Sequence, residues 1–428
     1  MIDGESYLAW ANDALNISFA KKIVIKDMPG GERGIYCDED IEPNSAIFSI
    51  PFSSLLSIKS AAGTPFEDIS DWREDDLLAI LLLYEKYHKR ESSFWHPHIQ
   101  CIPKEYHSII NFTDDELEMI KGSNLYMTTI AWKSQIRNDF MSLSALLQAH
   151  APTDDFFWFT HDNYVWALCT IWSRFVTIEK DGRLYRSMVP CFDMLNHHPH
   201  SRVGHIFQDG KVILLTQQSH RAGDELCLHY GSQSNTKLMM LYGFCIPPSV
   251  GNPEDSVDLW ASMSPAAPHY DLKAQLLASW DIYPDKRPFQ LTLCTDTTCG
   301  VPKDLVVCLR VQYGDAGGEL SPQDFSAARE GPLSEATEAL VASLLVSALR
   351  GMLDSYETTL AEDEERLTAM GLLTEGRAGA ASDQVTVVDF VPPSDREKNA
   401  VIMRHAEKVI LSSVIEWVET HSTNIGGC

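Results

Sequence analysis

The sequence has no CxxC pair, no GxGxxG run between a strand and a helix, and no apolar stretch near the roughly 18 residues of a membrane helix. The longest such stretch, Leu77 to Tyr84, is short and flanked by charge. Ten cysteines are scattered through 428 residues, and the closest pair, Cys294 and Cys299, stands on a polar Thr/Asp loop. These absences speak against a zinc ribbon, a disulfide framework and a doubly wound dinucleotide site. Basic residues are also scarce: 34 Lys+Arg face 60 Asp+Glu, a formal net charge of -26. Such a field repels a phosphate backbone and attracts basic partners, so nucleic acid is not expected and a Lys/Arg-bearing partner is. The first residues carry no basic-then-apolar signal, are not Arg/Ser-rich and include Asp3 and Glu5. Neither a signal peptide nor a transit peptide is expected, and a cytoplasmic location leads over nucleus and plastid. What is present is a globular balance, 44% hydrophobic and 22% charged, enough for two or three domains.

The pattern along the chain changes three times. Ile23 to Ile25 and Ala46 to Ile50 read as strands, with Pro29-Gly30-Gly31-Glu32-Arg33-Gly34 between them. A helical stretch follows. Asp75 to Arg90 has acids at its start and bases at its end, as the helix dipole prefers. Thr113-Asp114-Asp115-Glu116 is a capping box. Helical pattern returns over 129–149 and 162–172. Strand character resumes at Lys211 to Thr216 and Glu225 to His229. Beyond Pro247-Pro248 the chain is mainly helical, with helices expected over 354–370 and 399–419.

Four constellations carry chemistry. The glycine loop at 30–34 permits unusual backbone angles or close approach to a ligand, and equally fits a tight turn. Asp193 to His200, with His205 behind it, offers imidazoles and a carboxylate for zinc or iron. No second acid–histidine pair follows at a usable spacing, so exposed imidazoles on a turn are expected and a metal is not. Gly223 to Gly231, then Ser234-Asn235 and Tyr242-Gly243-Phe244, places a tyrosine at a strand end, facing a cleft or filling a core. Trp172-Ser173-Arg174-Phe175 sets an arginine among aromatics, as an ion-pair partner or an anion-binding group.

Their order is more specific than any one of them. Gly-rich turn, SRF, DMLNH, GDELCLHYG, SN and YGF resemble the SET-domain protein methyltransferases. The resemblance is to the branch typified by the Rubisco large-subunit lysine methyltransferase and the actin-histidine methyltransferase. Phe94 to Pro103 and Arg404-His405-Ala406-Glu407-Lys408 are similar to further segments of that branch. The resemblance implies an α+β fold: a β-rich SET core split by a helical insertion, followed by a mainly helical substrate-binding domain. The expected segments are 1–75 and 165–250 for the core, 76–164 for the insertion and 251–428 for the last domain. It implies S-adenosylmethionine (SAM) as cofactor. The backbone of Gly31, Glu32, Arg33 and Gly34 would cradle it. Arg174 would face its carboxylate, Asn196 and His197 would hold its adenine and methionine parts, and Phe244 would pack near the adenine or the tunnel. Tyr230 would be catalytic, touching the cofactor as well. Phe175, Val176, Asp193 and Tyr242 would form the acceptor side.

Lysine is the expected acceptor, in a non-histone protein bound by a monomeric enzyme. Where the actin-histidine enzyme has a polar Asn two residues past the matching arginine, Val176 stands here, and Gln233 replaces that enzyme's arginine. An acceptor imidazole needs a polar partner to fix its tautomer. The alternatives are histidine methylation and an inactive SET scaffold that binds a partner protein. The acidic run Glu362 to Glu365 is expected either to meet a basic substrate segment or to form a solvated helix face.

Overall fold

The structure, a computed structural model, describes residues 2–27, 33–69, 72–150, 156–295, 298–314, 324–373 and 396–421. Gly31 and Glu32 lie outside the described residues. Contacts divide the chain into two compact units. One comprises Met1–Asn111, Ile130–Ser232 and Met240–Gly243. The other comprises Phe112–Thr129, Gln233–Met239 and Phe244–Cys428.

The first unit opens with the helix Gly4–Leu15. Asp3 caps it by accepting from the Ser6 amide at 2.8 Å, and Asn16 ends it in the left-handed region. Tyr7, Ala11 and Leu15, spaced by four, form its buried stripe. Ten strands follow: β1 (Ser18–Phe19), β2 (Ile23–Asp27), β3 (Arg33–Cys37), β4 (Ser45–Pro51), β5 (Phe175–Lys180), β6 (Arg183–Met188), β7 (Asn196–His197), β8 (Val203–Gln208), β9 (Lys211–Thr216) and β10 (Glu225–Leu228). One sheet has the order β1-β4-β9-β8 and another β2-β3-β10-β7, while β5 and β6 pair alone. Strands from the start of the chain thus pair with strands some 170 residues later, and the helices between β4 and β5 form the insertion. Alternation explains the packing: Val212, Leu214 and Thr216 of β9 point inward. In β4 a register shift between Ala46 and Phe48 lets Ile47 and Phe48 both be buried.

Two hairpins, β5–β6 and β8–β9, turn on Asp181-Gly182 and Asp209-Gly210, where all four residues have positive φ. These are the two-residue turns whose twist matches the strands. The expected helix over 75–90 begins at Glu74 but ends at Leu83, after which residues Tyr84–Lys89 widen into a π-helical turn that stops at Arg90, φ 52°.

In the second unit the helices Lys303–Tyr313, Glu335–Asp354 and Arg396–Thr420 pack with the antiparallel pair β11 (Val257–Leu259) and β12 (Phe289–Leu291), and the helix Leu360–Ala369 lies against Arg396–Thr420. The helix expected over 354–370 is shorter, Leu360–Ala369, and Asp354 instead ends the preceding helix Glu335–Asp354. Thr359 and Glu362 form a capping box that starts Leu360–Ala369, leaving a break after Asp354. By length and composition Glu335–Asp354 is apolar enough to cross a membrane, but Val341, Ala342, Leu345 and Leu349 lie in this unit's core.

The charges of the RHAEK segment are internal. Arg404 and Lys408 both reach Asp363, each at 2.7 Å, and Lys408 also bonds to Thr358. Glu407 receives the hydroxyls of Tyr356, Ser123 and Thr236. Burial first, against those hydroxyls, pushes the Glu407 carboxyl up to about 7. Arg310 and Glu338 form a second buried pair, with two bonds of 2.7 Å. The acidic run is therefore not a single solvated face: Asp363 is fully buried, and Glu362 binds Thr359.

Candidate active site

The helix His161–Arg174 starts on Thr160, whose hydroxyl accepts from the Asn163 amide, and leads directly into β5 at Phe175. That junction puts Arg174, Phe175 and Val176 on the wall of a cleft of about 290 Å³. Opposite walls come from β8, from Phe192 to Leu195, and from Leu228 to Tyr230; Tyr242 completes it. Phe175, Val176, Leu195, Val203 and Leu228 make it largely apolar, while Thr177, His205 and His229 add polar groups.

Tyr230 is held at both ends. Its amide donates to His197 Nδ1 at 3.2 Å, and its hydroxyl donates to the Leu195 carbonyl at 2.7 Å. Its ring stacks on Tyr242 with centroids 4.7 Å apart. The next residue, Gly243, has φ 82°, and a Cβ there would lie 2.5 Å from the His107 carbonyl carbon, so glycine is required for the chain to bring Tyr242 in. With its hydroxyl proton given to Leu195, the phenol oxygen keeps lone pairs as acceptors.

His197 is 4% exposed. Burial, then the neighbouring His229 and His198, lowers its pKa to about 3, so the ring is neutral near pH 7. Because Nδ1 accepts from Tyr230, the ring proton is on Nε2. Asn196 and His197 form β7, which pairs in parallel with β10. Asn196 Nδ2 donates to Glu225 Oε1 at 2.8 Å and to the Arg33 carbonyl at 3.3 Å. Gly34 is in an extended strand, and its value is space rather than backbone freedom: a Cβ there would meet Glu225 Oε1 at 2.6 Å. The Arg33 side chain turns away to Asp27, Cys101 and the Ile2 carbonyl, leaving its backbone to face Asn196.

Arg174 donates through Nη1 to the Asp193 carbonyl at 2.8 Å, with the Asp193 carboxylate 3.7 Å away. Its Nε is buried without a hydrogen-bond partner. Asp193, expected on the acceptor side, has a side chain only 1% exposed that faces Arg174 and His98. Phe244 is buried and belongs to the second unit. Among the described residues no group of three or more His, Cys, Asp or Glu side chains is arranged to hold a metal ion. His198 and His200 are in ring contact, with the His200 amide on His198 Nδ1.

Sequence reasoning gave no site role to Glu225, His98, Thr177 and His229, and read His205 as an exposed turn imidazole where the structure has it in β8 on the cleft wall. A glycine inside a strand, Gly34, signalled a close approach but not that Glu225 makes it. The Asp-Gly turn at 181–182 was the signal for the hairpin that carries Thr177.

This arrangement can be set beside known proteins. Residues 264–411 match the family model described as Rubisco LSMT substrate-binding. The structure is similar to the SET domain of LSMT bound to lysine and AdoHcy, with a TM-score of 0.76 and 21% identity over 97% of this chain and 90% of that one. The chain thus shares the fold of the LSMT SET-domain structures. Among curated proteins it is 24% identical over 406 residues to the actin-histidine N-methyltransferase of Plecturocebus moloch, covering 90% of this chain and 63% of that protein. It is 29% identical over 254 residues to the ribosomal lysine N-methyltransferase set10 of Schizosaccharomyces pombe, covering 56% of this chain and 44% of that one. The chain spans less than two thirds of the length of these curated relatives.

Proposed function

We propose that this chain is a SAM-dependent protein methyltransferase that methylates the side-chain nitrogen of a lysine in a non-histone protein. The observation that carries the proposal is Tyr230, fixed through His197 and Leu195 at the mouth of an apolar cleft that also holds Arg174. The residues fit the cofactor. Arg174 has an unpartnered buried Nε suited to a carboxylate. The strands carrying Gly34, Asn196 and Glu225 bring polar groups together, with Glu225 Oε1 in the space a Cβ at Gly34 would take. In this reading Arg174, Asn196, His197 and the Arg33–Gly34 backbone hold the cofactor, and Tyr230 touches it. When bound, SAM supplies an electrophilic methyl group on a sulfonium.

The protein's own task is to deliver a neutral amine in line. A lysine of pKa about 10.4 is neutral only about one part in a thousand near pH 7.4, which costs about 4 kcal/mol. Phe175, Val176, Leu195, Val203 and Leu228 disfavour the charged form by desolvation and keep water out. The Tyr230 oxygen, anchored on Leu195, orients the amine by accepting one N–H, which leaves the nitrogen lone pair free to point at the reacting carbon. No general base is needed if the ammonium proton leaves to solvent before the step.

Val176 favours lysine, as does the lysine named with the structurally similar SET domain. A histidine acceptor is the second reading. It is favoured by Thr177, His205 and His229 on the cleft wall, which offer hydrogen bonds to an imidazole, and by the relatives named actin-histidine methyltransferases. Calorimetry with SAM tests the cofactor assignment. Wild type should bind, Asn196→Ala should bind at least tenfold more weakly, and Tyr230→Phe should bind within about threefold of wild type. Folded wild type that ignores SAM would overturn the proposal and favour a scaffold.

A further inference from the structure

Cys294 and Cys299, the closest cysteine pair in the chain, stand on the two arms of a tight turn in the second unit, and none of the roles assigned above uses them. Thr295 and Thr298 bridge the arms. The Thr295 amide donates to the Thr298 carbonyl at 2.9 Å, and the Thr298 amide donates back to the Thr295 carbonyl at 3.3 Å. Next to such a mutually bonded antiparallel pair comes a non-bonded one, with Cα atoms about 4.5 Å apart and side chains on the same face. Cys294 and Cys299 hold those positions. The arms stay together beyond them, because the Thr292 amide donates to the Gly300 carbonyl at 2.9 Å. Glycine permits that approach: a Cβ at Gly300 would lie 1.9 Å from the Thr292 carbonyl oxygen.

The two sulfurs converge on one stretch of backbone. Cys294 Sγ accepts the Gly300 amide at 3.1 Å, and Cys299 Sγ accepts the Val301 amide at 3.4 Å. The Gly300 nitrogen is two covalent bonds from the Cys299 Cα, so Cys294 Sγ lies within about 6 Å of that Cα. Disulfides ordinarily join Cα atoms about 4.4–6.8 Å apart, so this pair needs side-chain rotation rather than a backbone shift. Both thiols are free and half-buried, and Thr295 and Thr298 are exposed, which leaves the turn open to a small reagent. The turn is also tethered. The Cys294 amide donates to Ser413 Oγ on the helix Arg396–Thr420 at 3.1 Å, and both cysteines pack against the core that this helix helps to form.

We propose that Cys294 and Cys299 are a reversible modification site that reacts with a low-molecular-weight disulfide and closes into an intramolecular disulfide, locking the turn against the last helix. One cysteine thiolate attacks the small disulfide; a mixed disulfide forms and one small thiolate leaves. The other cysteine thiolate attacks the protein sulfur of that mixed disulfide; the protein S–S bond forms and the second small thiolate leaves. The two cysteine protons end on the two small thiols. The protein is oxidised by two electrons and the small disulfide is reduced by two. The proposal is independent of the cofactor and the acceptor.

The experiment equilibrates the full chain in buffers of reduced and oxidised glutathione, quenches with acid, alkylates the remaining thiols and digests with trypsin. One peptide, between Lys286 and Lys303, carries both cysteines. In the native protein it should lose both alkylation sites together and become lighter by two hydrogens, with no lasting glutathione adduct. Native geometry should favour the link at least tenfold over the same chain unfolded in urea. By linkage that factor is also a gain in stability, so the oxidised protein should melt about 3–6 °C higher. Cys299→Ser should instead stop at a glutathione adduct on Cys294 and show no such shift; if it does not fold, Cys294→Ser should stop at an adduct on Cys299. A native peptide that stays doubly alkylated in excess oxidised glutathione would overturn the proposal. Two glutathione adducts as its end product, or a link no more favourable in the native than in the unfolded chain, would overturn it as well.

Discussion

Acid should weaken the first unit through one imidazole. His197 is buried, its pKa is lowered from 6.5 to about 3, and its Nδ1 must accept from the Tyr230 amide. A group whose folded pKa is depressed contributes its full stability above the unfolded value, 6.5 here, and loses it as pH falls toward the folded value. The unfolded chain takes up the proton first. At pH 5 the loss is RT ln(1 + 10^1.5), about 2 kcal/mol, against about 0.2 at pH 7. Because the folded value lies well below pH 5, this figure depends on the unfolded pKa alone. The perturbation is His197→Asn, which keeps an acceptor near the Nδ1 position but does not titrate. Urea unfolding at pH 7 and pH 5 gives the assay. The variant's deficit relative to wild type should shrink by about 2 kcal/mol on going to pH 5. Parallel loss in both proteins would refute the assignment of His197 as a buried neutral ring.

Three further outcomes follow from other contacts. Gly34→Ala places a Cβ 2.6 Å from Glu225 Oε1, so the carboxylate must move off Asn196; SAM affinity measured by calorimetry should fall about tenfold with little change in Tm. Asp363→Asn leaves Arg404 and Lys408 buried without their counter-charge, and the second unit should lose about 3–5 kcal/mol in denaturant unfolding. Glu407 has a folded pKa raised to about 7 from 4.5, so its contribution is fully present below 4.5 and is lost as pH rises through 7; Glu407→Gln should flatten that part of the stability–pH curve, read by melting temperature at pH 5 and pH 8.

Much of this fold was legible because its signals are local. Thr113-Asp114-Asp115-Glu116 capped a helix where the capping box placed it. The KVILLT strand and the two-part sheet followed from alternation and from the order of motifs. Both hairpins carried an Asp-Gly pair, and reading it would have placed β5, β6 and β8. Other features depend on distance in sequence. Nothing local in Gly34 names Glu225 as the group that fills its space, and nothing in the FWHPHIQCIP segment says that His98 meets Tyr7 and Asp193. The acidic run near 363 read as surface because Arg404 and Lys408, which neutralise Asp363, lie some forty residues on. Arg174 was ambiguous between ion pair and anion site, and the structure contains both halves: Nη1 is engaged and Nε is not.

The most direct test of the central claim is methyl transfer from labelled SAM to lysate proteins, with the modified residue read by mass spectrometry, for wild type and Tyr230→Phe. The account predicts label on a lysine nitrogen with wild type, and transfer reduced at least tenfold in Tyr230→Phe despite near-normal SAM binding. Label on histidine would replace the acceptor, and transfer undiminished by Tyr230→Phe would contradict the role assigned to the anchored tyrosine.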